Sequence, residues 1–250
     1  MRATLGPSPM RRNPLYNGMT STTNDQRPRL ALFDLDHTLL PLDSDYEWGQ
    51  FTARKGLVHS AAFAQRNAEF FEQYRAGTLD LNEYMLFATE AMRKLGPEAS
   101  HAAHQMFMAE VIEPAITAQA LALIAKHRDA GDTIAIVTAT NEFVTTPIAK
   151  ALQIEHLLAV NLARDSSGWY SGHIDGVPTS REGKVTRMAQ WLAARNWDWD
   201  TVHTTFYSDS MNDIALLERV NVPVATNPDA TLRQLAAQRG WAILDLFPHA

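Results

Sequence analysis

Two aspartates and a threonine follow a short apolar run near the start of the chain. The run Leu30 to Phe33 leads into Asp34, and Asp36 and Thr38 follow at intervals of two residues. A short apolar run bounded by polar residues is typical of a strand buried on both faces, and open parallel sheets bind ligands at the carboxyl ends of such strands. Because neighbouring carboxylates repel each other, a hard divalent cation such as Mg²⁺, which usually brings a phosphate with it, would suit both. The alternative is a strand that ends in a solvated acidic turn.

Three later stretches carry polar side chains that suit a phosphate site. Thr138 ends a second apolar run, Lys184 follows a glycine at the start of a predicted helix, and a third run leads into Asp209-Ser-Met-Asn212-Asp213. The hydroxyl of Thr138 and the backbone N–H groups after it are placed to hold a phosphoryl oxygen at a helix N-terminus. Lys184 would add a fixed point charge, and Asp213 lies one helical turn beyond Asp209, within reach of the same metal through water. Taken singly these signals are weak, since many strands end in threonine and most lysines are on the surface.

In order and position, these four stretches resemble the four motifs of the haloacid dehalogenase superfamily. The first motif of that superfamily reads D-x-D-x-T, the second is an apolar strand ending in Thr or Ser, and the third supplies a lysine. The fourth reads G-D-G-x-N-D in many relatives, and here Ser208 and Ser210 replace both glycines. That departure makes the turn stiffer but retains its three polar groups. Together the motifs cover nearly all of residues 30 to 226.

The resemblance implies a Mg²⁺-dependent phosphatase that works through an aspartyl-phosphate. By resemblance, Asp34 is the nucleophile, and Asp36 is the general acid that protonates the leaving group and then the base that activates water. The same resemblance implies that Asp34, Asp209 and the backbone carbonyl of Asp36 ligate Mg²⁺. Asp213 would orient metal-bound waters. The residues implied to hold the phosphate are Thr138, Lys184 and Asn212.

Strands and helices alternate along most of the chain, which predicts an α/β fold with a doubly wound parallel sheet. The predicted strands are 30–33, 133–138, 157–161, 204–208, 222–226 and 241–244, with a small β-hairpin around the turn at 165–168. Helices are predicted over 114–130, beginning at Pro114 near the first turn, over 182–196 and over 229–238. Residues 30–41 and 114–250 would then form the core domain.

The segment from residue 42 to residue 113 is predicted to be an α-helical cap domain inserted after the first strand. Its apolar residues recur at spacings of three and four, without strand-like alternation. Breaks at Gly77 and at Gly96-Pro97 separate its helices, and Asp80 or Thr78 is placed to cap the second. A cap in this position resembles that of the phosphoserine phosphatase branch, which also includes histidinol-phosphate phosphatases.

The charge of the cap indicates which substrate it selects. From Asp43 to Glu113 the chain carries eleven acidic and six basic residues. In the phosphoserine phosphatase branch, a cap glutamate binds the substrate amine and a cap arginine binds its carboxylate. Asp43 stands near the glutamate position, whereas the arginine position, after Asn82-Glu-Tyr, reads Met85-Leu-Phe-Ala88. A phosphate monoester with an amine and a flat ring but no carboxylate fits this pattern, and histidinol phosphate is such a molecule.

Several alternatives stay open at this level. The acidic residues of the cap would also suit a plain solvated face. Its aromatic residues favour a helix-packing core over a cage for a ring; they are Phe70, Phe71, Tyr74, Tyr84 and Phe87. Phosphoserine or another small metabolite is an alternative substrate, and an alcohol is an alternative phosphoryl acceptor to water. A degenerate family member that only binds ligands is the non-enzymatic alternative, although every carboxylate that the chemistry needs is present.

Composition narrows the class of protein. The 250-residue chain is 46% hydrophobic, has no cysteine and carries a formal net charge of −6. Disulfides, thiolate metal sites and cysteine nucleophiles are excluded, and the reducing cytoplasm is the expected location. The negative charge argues against nonspecific nucleic-acid binding, and no apolar run approaches the roughly 20 residues of a membrane helix. We therefore expect a small-molecule phosphate ester as partner, with neither nucleic acid nor membrane; the oligomeric state is not readable.

Residues 1–29 are predicted to be a disordered leader. They contain four prolines and a cluster of Thr, Ser and Asn without apolar periodicity. Arg2, Arg11 and Arg12 suggest a targeting peptide, but no apolar segment follows them. Met19 is an alternative start, which would make the first 18 residues an artefact of gene prediction. The sequence favours neither a genuine tail nor an artefact.

Overall fold

The computed structural model describes residues 27–58 and 60–247 of the chain. The predicted leader lies outside the described residues except for positions 27–29, and so does the alternative start at Met19. Arg29 already belongs to the first strand.

A parallel sheet forms the centre of the molecule. The strands are β1 (Arg29–Phe33), β2 (Thr133–Asn141), β3 (His156–Val160), β4 (Leu162–Arg164), β5 (Tyr170–Ile174), β6 (His203–Ser208), β7 (Val222–Thr226) and β8 (Ala242–Leu244). Six of them form one sheet in the order β3-β2-β1-β6-β7-β8, with every pairing parallel. β4 and β5 form an antiparallel hairpin. The predicted doubly wound parallel sheet and the predicted hairpin are confirmed.

The strand order creates a crevice at one edge of the sheet. The chain leaves β1 towards β2 and β3, but it leaves β6 towards β7 and β8. Because these connections diverge, a crevice opens at the carboxyl ends of β1 and β6, which is where doubly wound sheets bind ligands. Asp34 follows β1 and Asp209 follows β6, so the topology brings both aspartates to this crevice.

Helices cover the sheet and form the predicted cap. They are α1 (Ser44–Arg54), α2 (Ser60–Ala76), α3 (Leu81–Ala88), α4 (Glu90–Phe107), α5 (Glu113–Ala115), α6 (Ala118–Asp129), α7 (Glu142–Ala151), α8 (Glu182–Ala193), α9 (Ile214–Leu217) and α10 (Ala230–Arg239). A π-helical turn, Met108–Ile112, precedes α5, and a 3₁₀ turn, Met211–Asp213, precedes α9. Six helices, α1 to α6, lie between β1 and β2 in the chain, and the first four of them fall within the predicted cap. The domain limits at residues 42 and 113 stay a prediction.

The helix predicted over 114–130 is wrong at its start. Pro114 belongs to the short α5, the chain is extended at Ile116 with φ −70° and ψ 111°, and α6 begins only at Ala118. Thr117 is the N-cap of α6, and its Oγ1 accepts a hydrogen bond from the N–H of Ala120 at 3.1 Å. A threonine in this position satisfies an N–H that has no partner within the helix. Proline suits a first helical turn, but here that turn is the one of α5.

Local signals define the helices of the cap. Asp80 Oδ1 accepts hydrogen bonds from the N–H groups of Asn82 and Glu83 at 2.9 and 3.2 Å, so Asp80 rather than Thr78 caps α3. Gly96 interrupts α4 with a φ of 73°, in the left-handed region that favours glycine. The breaks expected from the sequence therefore fall where backbone geometry requires them.

Strand β1 is buried on both faces of the sheet. Leu30, Ala31, Leu32 and Phe33 are each at most 1% exposed. Ala31 and Phe33 belong to one apolar core, with residues of the cap, α6 and α7, whereas Leu30 and Leu32 belong to a second core on the other face, with residues of α8. Burial on both faces explains why the run is continuously apolar rather than alternating.

Among the described residues, no single helix is long and apolar enough to cross a membrane. One pair of helices, Glu90–Ala115 and Ala118–Asp129, reaches the required length and composition only in combination, and it is bent by 86°.

A buried histidine joins the cap to the core. His104 of α4 is 3% exposed, and its Nε2 lies 3.0 Å from the carbonyl oxygen of Val144 in α7. Its ring packs against Trp48 and Phe143, with centroid distances of 5.4 and 5.2 Å. Burial lowers the pKa of His104 to about 4, so the folded protein keeps the ring neutral at pH 7.

Acid should therefore destabilise the fold through His104. As the pH falls from 6.5 to about 4, the unfolded chain protonates this ring while the folded chain does not, so the free energy of unfolding falls. His104→Gln removes this titrating group. The decrease in the free energy of unfolding between pH 7 and pH 4 should therefore be smaller in the variant, by about 3 kcal/mol. Urea unfolding of both proteins at the two pH values measures the difference. An equal loss in both proteins would contradict the prediction.

Candidate active site

The loops after β1 and β6 bring two carboxylates together. Asp34 is 7% exposed, and its N–H donates to the carbonyl oxygen of Tyr207 in β6 at 2.9 Å. Thr38 Oγ1 lies 3.3 Å from Asp209 Oδ1 and 3.5 Å from Asp34 Oδ2. The pairing of β1 with β6 thus places Asp34, Thr38 and Asp209 at one point.

Lys184 stands between Asp34 and Asp213. Its Nζ donates to Asp34 Oδ1 and to Asp213 Oδ2, each at 2.7 Å, and the lysine is 1% exposed. Ser208 Oγ donates to the same oxygen of Asp213 at 2.7 Å. Burial by itself would lower the pKa of Lys184, but the carboxylates of Asp213 and Asp34 raise it above its usual value. The lysine therefore stays charged in the interior.

The glycine before Lys184 has a packing reason. A Cβ at Gly183 would lie 2.0 Å from the carbonyl oxygen of Pro178, which is far inside contact distance. Only glycine lets the first turn of α8 approach the preceding loop this closely. The glycine thus allows the first turn of α8, from which Lys184 enters the site, to pack closely against this loop.

Three carboxylates lie around this one lysine, of which Asp34 and Asp213 are buried and Asp209 is half-buried. Burial raises the pKa of Asp34 to about 7 in spite of Lys184, and the charges of Asp213 and Asp36 add to the rise. Burial, followed by the charges of Asp34 and Asp213, also raises the pKa of Asp209 well above its usual value. When all three are ionised, Asp34, Asp209 and Asp213 exceed the charge of Lys184 by two units.

This charge excess and the all-oxygen donor set fit a hard divalent cation. Within residues 27–58 and 60–247, no three His, Cys, Asp or Glu side chains are already arranged as a metal site. Asp34 and Asp209 contact the same hydroxyl, whereas Asp213 directs Oδ2 at Lys184 and Ser208. Asp34 and Asp209 are thus the carboxylates that could hold such a cation, whereas Asp213 holds the lysine.

Asp36 is held through both of its carboxylate oxygens. Its Oδ1 accepts a hydrogen bond from the N–H of Ser44 in the first turn of α1, and its Oδ2 accepts one from Thr140 Oγ1, both at 2.8 Å. Thr140 is not among the site residues predicted from the sequence. The available signal is its position two residues beyond Thr138 in β2, since alternate residues of a strand share a face.

The two other residues predicted to bind phosphate have different surroundings. Thr138 is 1% exposed, lines the cavity described below, and its Oγ1 accepts a hydrogen bond from the N–H of Thr140 at 3.1 Å. Asn212 instead uses its Nδ2 to donate to the carbonyl oxygen of Tyr74, near the end of α2, at 3.1 Å. Asn212 therefore connects the loop after β6 to the cap.

An open cavity lies between the cap helices and the carboxyl-terminal parts of β1 and β2, with about 520 Å³ of empty space when its opening to solvent is included. The carboxylates in its wall are Asp34, Asp36, Asp43 and Asp45, and the aromatic rings are Tyr46, Phe70, Phe71, Tyr74 and Tyr84. No Arg or Lys occurs among the described residues of this wall.

The aromatic residues of the cap both pack the helices and line the cavity. Phe70 is 1% exposed, and its ring contacts Tyr84 and Phe87 with centroid distances of 5.3 and 5.0 Å. Phe87 stacks on Phe63 at 4.2 Å, outside the wall. The predicted role in helix packing therefore accounts for Phe87 completely. The other four rings also line the cavity, so this role accounts for them only in part.

Asp43, the predicted ligand of the substrate amine, lies in the cavity wall. Its Oδ1 accepts a hydrogen bond from the N–H of Tyr46 at 2.8 Å, which makes Asp43 the N-cap of α1. Burial, and then the charge of Asp36, raises the pKa of Asp43 well above its usual value. Helix capping alone would account for an aspartate here, so its role towards a substrate stays a prediction.

Comparison with known proteins identifies the family. The model of the haloacid dehalogenase-like hydrolases matches residues 31–218. The chain belongs to this family. A histidinol-phosphatase of Neisseria meningitidis serogroup C is 40% identical over 217 residues, which cover 86% of this chain and 98% of that protein. A phosphoserine phosphatase of Mycobacterium tuberculosis is 30% identical over 225 residues, which cover 86% of this chain and 70% of that protein.

Solved structures agree with this assignment. The crystal structure of a protein of unknown function from Bordetella pertussis Tohama I is 46% identical, with a TM-score of 0.84 over 88% of this chain and 100% of that one. A substrate-bound phosphoserine phosphatase, at 16% identity, shares the fold with a TM-score of 0.63 over 88% of this chain and 93% of that one. The predicted superfamily and the predicted class of enzyme, a phosphatase of this family, are confirmed.

Proposed function

We propose that this phosphatase hydrolyses a small phosphate monoester that carries an amine and a flat ring but no carboxylate, and that histidinol phosphate is its substrate. The proposal depends on the cavity wall, which has four carboxylates, five aromatic rings and, among the described residues, no Arg or Lys. A substrate carboxylate would find no cation there, and burying an unpaired charge is strongly unfavourable. The histidinol-phosphatase that is 40% identical supports the same substrate.

Asp34 is the nucleophile in this proposal. Its carboxylate attacks the phosphorus, and an aspartyl-phosphate forms as the alcohol leaves. Lys184, at 2.7 Å from Asp34 Oδ1, favours the ionised nucleophile and offsets charge on the phosphoryl oxygens. Thr138 accepts a hydrogen bond from a backbone N–H, so its own hydroxyl proton is available to a phosphoryl oxygen. Asp213 keeps Lys184 in position.

Mg²⁺ is the proposed cofactor. Asp34, Asp209 and the backbone carbonyl of Asp36 would hold the ion, with Asp213 orienting its waters. The ion, when bound, supplies positive charge that stabilises the transferring phosphoryl group. A cytoplasmic location and a small-molecule partner belong to the same proposal.

Asp36 is the proposed general acid and base. It gives a proton to the leaving oxygen and later takes one from the attacking water. Its contacts with Ser44 of α1 and Thr140 of β2, both at 2.8 Å, hold the carboxyl group in the cavity wall between the cap and the sheet.

Asp36→Asn is expected to lower kcat by about 10²- to 10⁴-fold for an alkyl phosphate. The loss should be much smaller for an activated aryl phosphate, because a good leaving group departs without a proton. Steady-state kinetics of both proteins on both substrates measure the contrast. Equal losses on the two substrates would argue against a role in proton transfer.

The substrate is tested by kcat/KM for histidinol phosphate and for phosphoserine. We expect the wild type to prefer histidinol phosphate. Asp43→Asn should narrow that preference, because Asp43 repels the carboxylate that only phosphoserine carries, whereas both substrates carry the amine. Glu47→Gln, which alters an acid of the same helix that does not line the cavity, is the matched control and should keep the preference. A wild type that prefers phosphoserine would refute the substrate.

A further inference from the structure

Asp45 is an acid of the cavity wall for which the phosphatase chemistry has no use. It belongs to the first turn of α1 and is 5% exposed. It lines the cavity together with Asp43. Its Oδ1 accepts a hydrogen bond from Asn141 Nδ2 at 3.2 Å. The hydroxyl of Tyr84 lies near enough to this carboxylate to lower its pKa, against the larger effect of burial.

The orientation of this carboxylate is set from two sides. Asn141 is 1% exposed and caps α7, where its Oδ1 accepts hydrogen bonds from the N–H groups of Phe143 and Val144 at 3.1 and 3.2 Å. Because Oδ1 is engaged in this way, Nδ2 is directed at Asp45. Tyr84 approaches from α3 of the cap. A group held by both core and cap is pre-organised for recognition.

The charge of Asp45 has only neutral donors around it. Burial raises its pKa to about 7, although the nearby hydroxyl of Tyr84 acts in the opposite direction. The described wall of the cavity offers no Arg or Lys. A buried carboxylate without a cationic partner is costly to ionise. A positively charged or polarised N–H group of a ligand would stabilise its ionised form.

We propose that Asp45 accepts a hydrogen bond from a ring nitrogen of the substrate, so that the enzyme selects amino phosphate monoesters with a nitrogen-bearing aromatic ring. This inference rests on the proposed function and deepens it, since Asp43 takes the amine and Asp45 with Tyr84 recognises the ring. Two carboxylates at separate points of one wall match two nitrogen groups in one molecule. The neighbouring rings of Phe70 and Tyr84 provide apolar surface for a flat ring.

The test compares two substrates that differ only in the ring. Histidinol phosphate has an imidazole, whereas 2-amino-3-phenylpropyl phosphate has the same amine and phosphate with a phenyl ring. The wild type should prefer the imidazole in kcat/KM on the order of 10- to 100-fold, because the phenyl ring leaves a buried acceptor unpaired. Asp45→Asn should reduce this ratio by about tenfold or more, chiefly through KM. Tyr84→Phe should also lower the ratio of the two kcat/KM values.

Two variants separate ring recognition from a general structural effect. Asp43→Asn removes the partner of an amine that both substrates carry, so it should lower both kcat/KM values and leave their ratio unchanged. Glu47→Gln should leave the ratio and both values unchanged. Calorimetry with the two dephosphorylated alcohols gives a readout without turnover, in which Asp45→Asn should weaken the binding of histidinol alone.

The outcomes distinguish this inference from the proposed function. If the wild type prefers histidinol phosphate to phosphoserine but the ratio between the two ring substrates is the same in Asp45→Asn, the inference is overturned and the proposed function stands. If the wild type prefers phosphoserine, both are overturned. Should Asp45→Asn fail to fold, as judged by its melting temperature, an unchanged ratio in Tyr84→Phe overturns the inference by itself.

Discussion

Asp34→Asn is expected to lower kcat by about 10⁴-fold or more, because it removes the nucleophile on which the covalent step depends. The fold should persist, since asparagine has the same shape and burial already disfavours the charge of Asp34. Lys184 would retain its contact with Asp213 at 2.7 Å. The measurement is steady-state hydrolysis of histidinol phosphate and of an activated aryl phosphate by purified protein.

The control for this variant is a carboxylate outside the site. Asp129→Asn alters an exposed residue at the end of α6 and should keep wild-type kcat. Mass spectrometry after rapid quenching should find a phosphorylated enzyme in the wild type and none in Asp34→Asn. Substantial turnover by folded Asp34→Asn would remove Asp34 from the role of nucleophile.

Removal of divalent metal is expected to lower activity by about 10³-fold or more, since the ion supplies several kcal/mol of charge stabilisation. Mg²⁺ should restore it. Asp209→Ala should increase the Mg²⁺ concentration that gives half-maximal activity by much more than tenfold. Asp213→Ala should increase this concentration by a smaller factor. The difference follows from the geometry, because Asp209 contacts the hydroxyl that Asp34 also contacts, while Asp213 faces Lys184.

Binding of the metal should also be visible without turnover. A ligand that binds only the folded state raises its stability, and here it would offset the mutual repulsion of Asp34, Asp209 and Asp213. Mg²⁺ should therefore raise the melting temperature of the wild type more than that of Asp209→Ala. Full activity after exhaustive treatment with EDTA would refute the metal requirement.

The position of Asn212 changes how its role can be tested. Its amide donates to the carbonyl oxygen of Tyr74 at 3.1 Å, so a variant at this position would alter the contact between core and cap as well as any contact with phosphate. Similarity to family motifs predicted a phosphate-binding role for Asn212, which stays a prediction. It did not identify the atom that this residue contacts.

Much of the fold could be predicted because its signals are local. The run Leu30–Phe33 is continuously apolar since both faces of β1 are covered, and this pattern needs no knowledge of what covers them. Breaks at Gly96 and capping by Asp80 are likewise properties of a few adjacent residues. The misplaced start at Pro114 shows where local signals compete, since Thr117 is also a good N-cap and it is the one that begins the long helix.

The sequence by itself determined the ends of β1 and β6, and therefore the residues Asp34 and Asp209, because parallel strands bring their carboxyl ends to one edge of a sheet. The end predicted for the second strand at Thr138 is wrong, since β2 continues to Asn141. Only the tertiary structure decided which side chains meet. Lys184 reaches Asp34 across 150 positions of the chain, Thr140 reaches Asp36 across 104, and Asn141 reaches Asp45 across 96. Such contacts depend on how α8 and the cap helices pack against the sheet. Apolar periodicity specifies which face of a helix or strand is buried, but it does not specify which residues the polar side chains on that face contact.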